Sequence, residues 1–363
     1  MKKLMTKRAR ILCCAWLLVI FCAGAVFAGA KKQVNHETRT ITDQLGRTVS
    51  VPADVTSVVV LQHQTLNIIV QLNAVDKVSG ILSSWKRQLG PNYARLAPSL
   101  ANLPMPGDLS EVNIESLLAI QPQAVFVTNY APPEMIEQIE NAGLPVIAIS
   151  LREDAESERA KINPVMEDEE TAYNNGLKTG IRLIGEVLNR RKEAEELINY
   201  TFEHREIVDS RIKDIAPGQR IRTYMANPDL NTYGSGKYTG LMMIHAGAMN
   251  VAASTIEGAK QVSMEQVLAW NPDVIFVQER YPDVVTEINS SPAWTGINAV
   301  KNGRVYLMPE YAKAWGYPQP EAIAIGELWM AKKLYPERFA DIDMQKEAND
   351  YYERFYHTTY QGY

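Results

Sequence analysis

The chain reads as an α/β protein of two lobes, each built on a mostly parallel sheet, with one long helix crossing between them. Three observations predict this. One stretch occurs twice without a gap, 150 residues apart: Glu115-Ser-Leu-Leu-Ala-Ile-Gln-Pro-Gln-Ala-Val-Phe-Val127 and Glu265-Gln-Val-Leu-Ala-Trp-Asn-Pro-Asp-Val-Ile-Phe-Val277. Each copy is a short apolar-periodic run followed by a Val/Ile/Phe run that suits a buried parallel strand. Elsewhere, apolar strand-like runs alternate with helix or loop, the pattern of parallel sheets that carry binding loops at their carboxyl ends. Finally, residues 167–215 contain no proline and place Leu177, Ile181, Ile184, Leu197 and Ile198 at helical spacing.

A chain of 363 residues exceeds what one core usually serves, about 250–300 residues, so two domains are expected. Its composition, 46% hydrophobic and 22% charged, is that of an ordinary globular protein. A basic region through Arg10, an apolar run over 11–27 and small residues at Ala28-Gly29-Ala30 mark 1–28 as a secretory signal peptide, cleaved near Gly29 or Lys31. The alternative is an uncleaved anchor, because the run approaches spanning length and Lys31-Lys32 follows it. Bulky Phe21 before Cys22 disfavours a lipoprotein. All three cysteines, Cys13, Cys14 and Cys22, fall in this segment, so a mature chain has neither disulfide nor thiolate ligand. Removing its five cations takes the net charge from −5 to −10. An acidic body argues against nucleic acid as a partner.

In chain order, residues 39–52 alternate around Gln44-Leu-Gly46 and predict a β-hairpin. A strand at 57–61, a helix near 66–72, a strand at 77–80, the first repeat and a strand at 145–150 complete an N-terminal lobe over 29–166. The crossing helix spans 167–188. A break near Asn189-Arg190-Arg191 precedes a helix over 191–215, the first element of a C-terminal lobe over 189–363. That lobe continues with a strand at 220–226, an Asn/Tyr/Gly-rich loop, a helix at 240–247, the second repeat, a strand at 304–309 and terminal helices from Glu321. Asn113 and Ser263 stand as capping residues before the repeats, with Gln266 at the capping-box offset, which puts Glu115 and Glu265 in first helical turns.

The loops after the strands are rich in aromatic residues. His63, Trp85, Tyr130, Tyr233, Tyr238, Tyr281, Trp315 and Tyr317 are the candidate lining of a cleft for a planar or aryl ligand, and Lys237 and Arg280 are candidate partners for an anionic chelate. His63 either ligates a metal or is a hydrogen-bonded strand-end residue. The other histidines, His36, His204, His245 and His357, are scattered without ligand spacing, so no metal site is assigned. Gly234-Ser-Gly-Lys-Tyr238 lacks the first glycine and the Ser/Thr of a phosphate loop. No nucleophile, acid and base share a recognisable spacing, so no catalytic residue or cofactor is assigned, and a secreted metalloenzyme or chelatase is the weaker alternative.

The ordered set of motifs over about 40–356 resembles the class III, helical-backbone (TroA-like or FecB-like) periplasmic binding proteins of ABC importers. The resemblance rests on Asp43-Gln-Leu-Gly-Arg-Thr-Val-Ser-Val-Pro52, Gly107 through Pro122, His245-Ala-Gly-Ala-Met-Asn-Val251, Val262-Ser-Met-Glu-Gln-Val-Leu-Ala269, Ala299-Val-Lys-Asn-Gly-Arg-Val-Tyr306 and Leu334-Tyr-Pro-Glu-Arg-Phe339. It implies two Rossmann-like lobes joined by a single rigid helix, a ligand cleft between them, a periplasmic monomer and an inner-membrane permease dimer as partner. By motif position Glu115 and Glu265 match the acidic residues that dock onto the permease; the plainer reading is that each complements its helix dipole. The expected cargo is an iron(III)-siderophore-type chelate, with cobalamin, haem or an oxyanion such as molybdate as the alternatives that one framework serves.

Overall fold

Inward-facing Ile41, Val49 and Val51 pull residues 38–52 into the expected hairpin, with β1 (Thr38–Thr42) paired antiparallel to β2 (Thr48–Pro52). Its turn is a clip. Gln44 Oε1 accepts from the amides of Ser150 and Leu151 at 2.9 and 3.0 Å, while its Nε2 donates to the Gly176 carbonyl at 2.9 Å, so one side chain ties a sheet edge to the long helix. The computed structural model describes residues 37–90 and 92–362; the expected signal peptide and its cleavage point lie outside them.

Two four-stranded parallel sheets follow. The first contains β3 (Val58–Val60), β4 (Val78–Ile81), β5 (Ala124–Thr128) and β6 (Val146–Ile149) in the order β4-β3-β5-β6. The second is drawn from β7 (Ile221–Ala226), β9 (Ala248–Asn250), β11 (Val274–Val277) and β12 (Val305–Leu307), in the order β9-β7-β11-β12. Strand for strand the orders coincide, with the third strand of each lobe beside the first. Both repeat strands, β5 and β11, are wholly buried, as continuous Val/Ile/Phe runs require in a sheet covered on both faces. A short antiparallel pair, β8 (Asn231–Tyr233) with β10 (Ala259–Gln261), was not foreseen, since three-residue strands carry too little periodicity.

The first lobe contributes helices α1 (His63–Gln71), α2 (Trp85–Leu89), α3 (Ile114–Ile120) and α4 (Pro133–Asn141). The crossing helix is α5 (Glu169–Val187), where the pattern placed 167–188; Asp168 caps it by accepting from the Thr171 amide at 3.0 Å. It stops because Asn189 turns left-handed at φ 55°, and Arg39 Nη2 meets the terminal carbonyls of Glu186 and Val187 at 2.6 and 2.9 Å. Then come α6 (Arg191–Ile212), α7 (Tyr238–His245), α8 (Met264–Trp270), α9 (Pro282–Ser290), α10 (Asn298–Lys301), α11 (Glu327–Leu334), led by a π-helical turn over Ala322–Gly326, and α12 (Met344–Phe355).

Helix α1 starts three residues earlier than its periodicity indicates, because it is buried on every side and its polar residues are spent inside the protein. Asn67 Nδ2 donates to Gln319 Oε1 and Glu321 Oε1 at 2.7 and 2.8 Å, and Gln71 Nε2 donates to Glu321 Oε2 at 2.9 Å. Tyr93 and Tyr356 donate to Asn67 Oδ1 at 2.9 and 2.8 Å, and Lys313 Nζ pairs with Glu321 at 2.6 Å. This seam holds the two lobes together alongside α5. Burial alone would raise the Glu321 carboxyl, but Lys313 and the hydrogen bonds hold it below the usual range.

Candidate functional site

The carboxyl ends of β3 and β11 meet at the interlobe boundary. Chain leaving β3 turns straight into α1, so His63 stands at the first position of that helix, nearly buried, with its ring 5.6 Å from that of Trp315. Its Nδ1 has no hydrogen-bond partner among the described residues. Burial first, then the Arg280 charge, holds the imidazole down at about 3, against an opposing pull from Asp108; His63 is a neutral group at physiological pH.

From the β11 side, Arg280 donates through Nε and Nη2 to Gln278 Oε1 at 3.2 and 2.9 Å, and its Nη1 reaches the Gln88 carbonyl of the first lobe at 3.4 Å. The guanidinium lies 5.2 and 5.8 Å from the ring centres of Tyr281 and Trp315. It forms no ion pair with any described carboxylate. Trp315 Nε1 donates to Glu279 Oε1 at 3.3 Å, while Glu279 Oε2 has no partner among the described residues. Burial pushes the Glu279 carboxyl up, with Arg280 and Lys313 opposing.

Gly316, at φ 80°, turns the chain between Trp315 and Tyr317 and so serves two neighbouring groups. In the second, the Tyr317 hydroxyl accepts from Arg152 Nη1 at 2.8 Å, and its ring stacks on Tyr130 at 6.5 Å. Lys237 Nζ lies 5.5 Å from the same ring and donates to the Ile162 carbonyl at 2.5 Å; burial and then Arg152 lower it to about 8. Tyr233 is close enough to Arg280 for that charge to oppose the rise that burial imposes on its phenol. Arg152 was not among the sequence candidates. It follows the last strand of the first lobe by three residues, and the strand-end rule that chose Tyr130 would have chosen it too.

Two candidates make no described side-chain hydrogen bond or ring contact with these groups. Tyr238 opens α7 and points into the core, where its hydroxyl donates to Glu327 Oε1 at 2.5 Å and accepts from Arg205 Nη2 at 3.3 Å. Trp85 is fully buried in the hydrophobic core, its indole Nε1 unpartnered among the described residues. The expected open aromatic surface is therefore not what forms: Trp315 is 6% exposed and Tyr317 5%, their faces already covered by neighbours. What remains is a partly open space of about 70 Å³ lined by Leu89, Gly90 and Tyr93 from one lobe and Glu279, Met308 and Lys313 from the other. Beside it a groove of about 780 Å³ runs along Lys86, Arg87, Gln88, Arg280 and Tyr281. No group of three or more His, Cys, Asp or Glu among the described residues is arranged to hold a metal ion.

The sequence profile described as "Periplasmic binding protein" matches residues 58–312, from β3 to the approach of Trp315. The chain is a periplasmic binding protein. It is 60% identical over 322 residues, 89% of this chain and 92% of the other, to the molybdate-binding protein MolA of Haemophilus influenzae. The solved structure of MolA bound to molybdate superposes with a TM-score of 0.87 at 59% identity, covering 90% of this chain and all of that one. A more distant relative, the Fe(3+)-citrate-binding protein YfmC of Bacillus subtilis, is 24% identical over 77% of this chain and 80% of its own length. The two-lobed, helix-bridged fold is that of the class III family members. This periplasmic binding protein is the ligand-binding component of an ABC transporter and not an enzyme.

Proposed function

We propose that the protein captures a compact oxyanion of the molybdate type between the ends of β3 and β11 and hands it to its permease. The observation that carries this is Arg280, a cation at the interlobe boundary that forms no salt bridge with any described carboxylate. Beside it His63 offers a neutral ring nitrogen with no partner among the described residues, Tyr233 a phenol and Trp315 an aromatic wall. A small anion needs few convergent donors and no exposed aryl face, and the likeness to the molybdate-binding relative supports the same class of ligand. The iron-siderophore chelate first expected needs aromatic faces that are covered here. A larger anionic iron chelate remains the second reading, favoured by the open groove that Lys86, Arg87 and Arg280 line.

In this reading the mature chain is a periplasmic monomer, cleaved after 1–28, with lobes over 29–166 and 189–363 joined by the 167–188 helix. Glu115 and Glu265, both exposed, meet basic pockets of the permease dimer. Calorimetric titration with sodium molybdate tests the site. Arg280→Ala should lose about 1–3 kcal/mol, the range for a charge-assisted hydrogen bond. Molybdate affinity unchanged in that variant would remove Arg280 from the site.

A further inference from the structure

Helices α3 and α8 are the same device built twice. Each is seven residues long; Asn113 and Ser263 cap them by accepting from the amides of Ser116 and Gln266 at 2.8 and 3.2 Å, and Gln121 and Asn271 end them in left-handed geometry at φ 54° and 41°. Their burial also matches. Leu117 and Val267 face the core at 0% exposure, while the next residues, Leu118 and Leu268, are 44% and 43% exposed. One exposed leucine on a protein surface calls for no explanation. The same exposure at the same position of both repeats does, because capping, core packing and the strand that follows are all satisfied without it. Three residues separate Leu118 from Glu115 and Leu268 from Glu265, which puts each leucine on the same helix face as its glutamate.

We propose that Leu118 and Leu268 are a pair of apolar anchors for the membrane permease, each entering an apolar socket beside the basic pocket that receives Glu115 or Glu265. This rests on the reading that the two glutamates dock. Equivalent patches on two lobes of one chain fit a partner with two equivalent subunits, whose symmetry presents the same socket twice. The carboxylates, which form no ion pair with any described residue, supply the charge that orients the encounter; the leucines supply contact that salt does not screen.

The test compares docking of the ligand-loaded protein to its cognate permease in phospholipid nanodiscs, at low and high salt, for wild type, Leu118→Ser, Leu268→Ser, the double Leu variant and Glu115→Ala/Glu265→Ala. Each single Leu change should weaken docking about tenfold and the double about a hundredfold, at both salt concentrations. Molybdate affinity and melting temperature should stay at the wild-type values, as should docking of Ile244→Ser, a control 39% exposed on another helix. Wild-type docking by the double Leu variant overturns the anchors, whatever the glutamate variant does. If the Leu variants fail while the glutamate variant docks normally, the anchors stand and the glutamate reading falls.

Discussion

On α3 and α8 the two lobes present the same residues with the same exposure, Glu115 and Leu118 against Glu265 and Leu268, whereas the loops leaving β3 and β11 each open on a buried glutamine, Gln62 and Gln278, and then diverge. One loop delivers a neutral imidazole in His63; the other delivers Arg280 and the buried Glu279. Both sheets keep one strand order, in which β3 is the first strand of its lobe and β11 the third of its own, so these loops hold different places in the architecture. The contrast also fits what each surface meets. A partner of two equal halves asks the lobes to agree, while a single small ligand lying between them asks for complementary contributions. The lobes differ again at the seam, where α1 supplies neutral amides and the second lobe supplies the charges, Lys313 and Glu321.

The comparison is broken most severely at that seam. Glu321→Ala should cost about 3–5 kcal/mol of stability, because it strands the Lys313 ammonium, which is 2% exposed, in the interior. Glu115→Ala, on the outward face, should stay within about 0.5 kcal/mol of wild type. Chemical denaturation of both variants checks the pair, and similar losses would mean that the seam is not where the lobes are held.

Acid probes the β3 loop specifically. In the folded protein His63 titrates near 3, below the unfolded value of 6.5, so as pH falls the unfolded chain takes up this proton first. Stability is full above about pH 6.5 and declines toward pH 3, by up to about 1.4 kcal/mol per unit. Replacing His63 with Asn should flatten that slope between pH 6.5 and 5, measured by urea unfolding; an unchanged slope would place the sensitivity elsewhere.

The mildest effect separates the ligand loops from the core. Tyr238→Phe removes one donor from Glu327, which keeps Arg205 at 2.9 Å and His245 at 3.0 Å, and should cost about 1–2 kcal/mol of stability while leaving molybdate affinity unchanged. A loss of affinity would return Tyr238 to the site.

Much of this was legible in the sequence. The repeat gave β5 and β11 with their preceding helices, and the proline-free pattern gave α5 within two residues at each end. Strand-end reasoning singled out His63, Arg280 and Trp315, which the fold brings together, since loops at carboxyl strand ends are where an open α/β sheet binds. Position alone did not indicate which side chains turn inward. Tyr238 and Trp85 sit in the right stretches but face inward, and Arg152 was overlooked in a loop without aromatic residues. The polar seam was invisible for the same reason: Asn67, Gln71 and Glu321 look like surface residues until α1 is known to be covered on all sides.

The central claim is that the cleft holds a small oxyanion, with Arg280 supplying the charge and neutral His63 beside it. Calorimetric titration of the purified mature protein against molybdate, ferric citrate, ferric hydroxamate and catecholate chelates, cobalamin and haem tests it most directly. The account predicts saturable one-to-one binding of molybdate and none of the ferric chelates. Tight binding of a ferric chelate with no heat from molybdate would contradict it, and would leave the open groove along Lys86, Arg87 and Arg280 to hold the larger ligand.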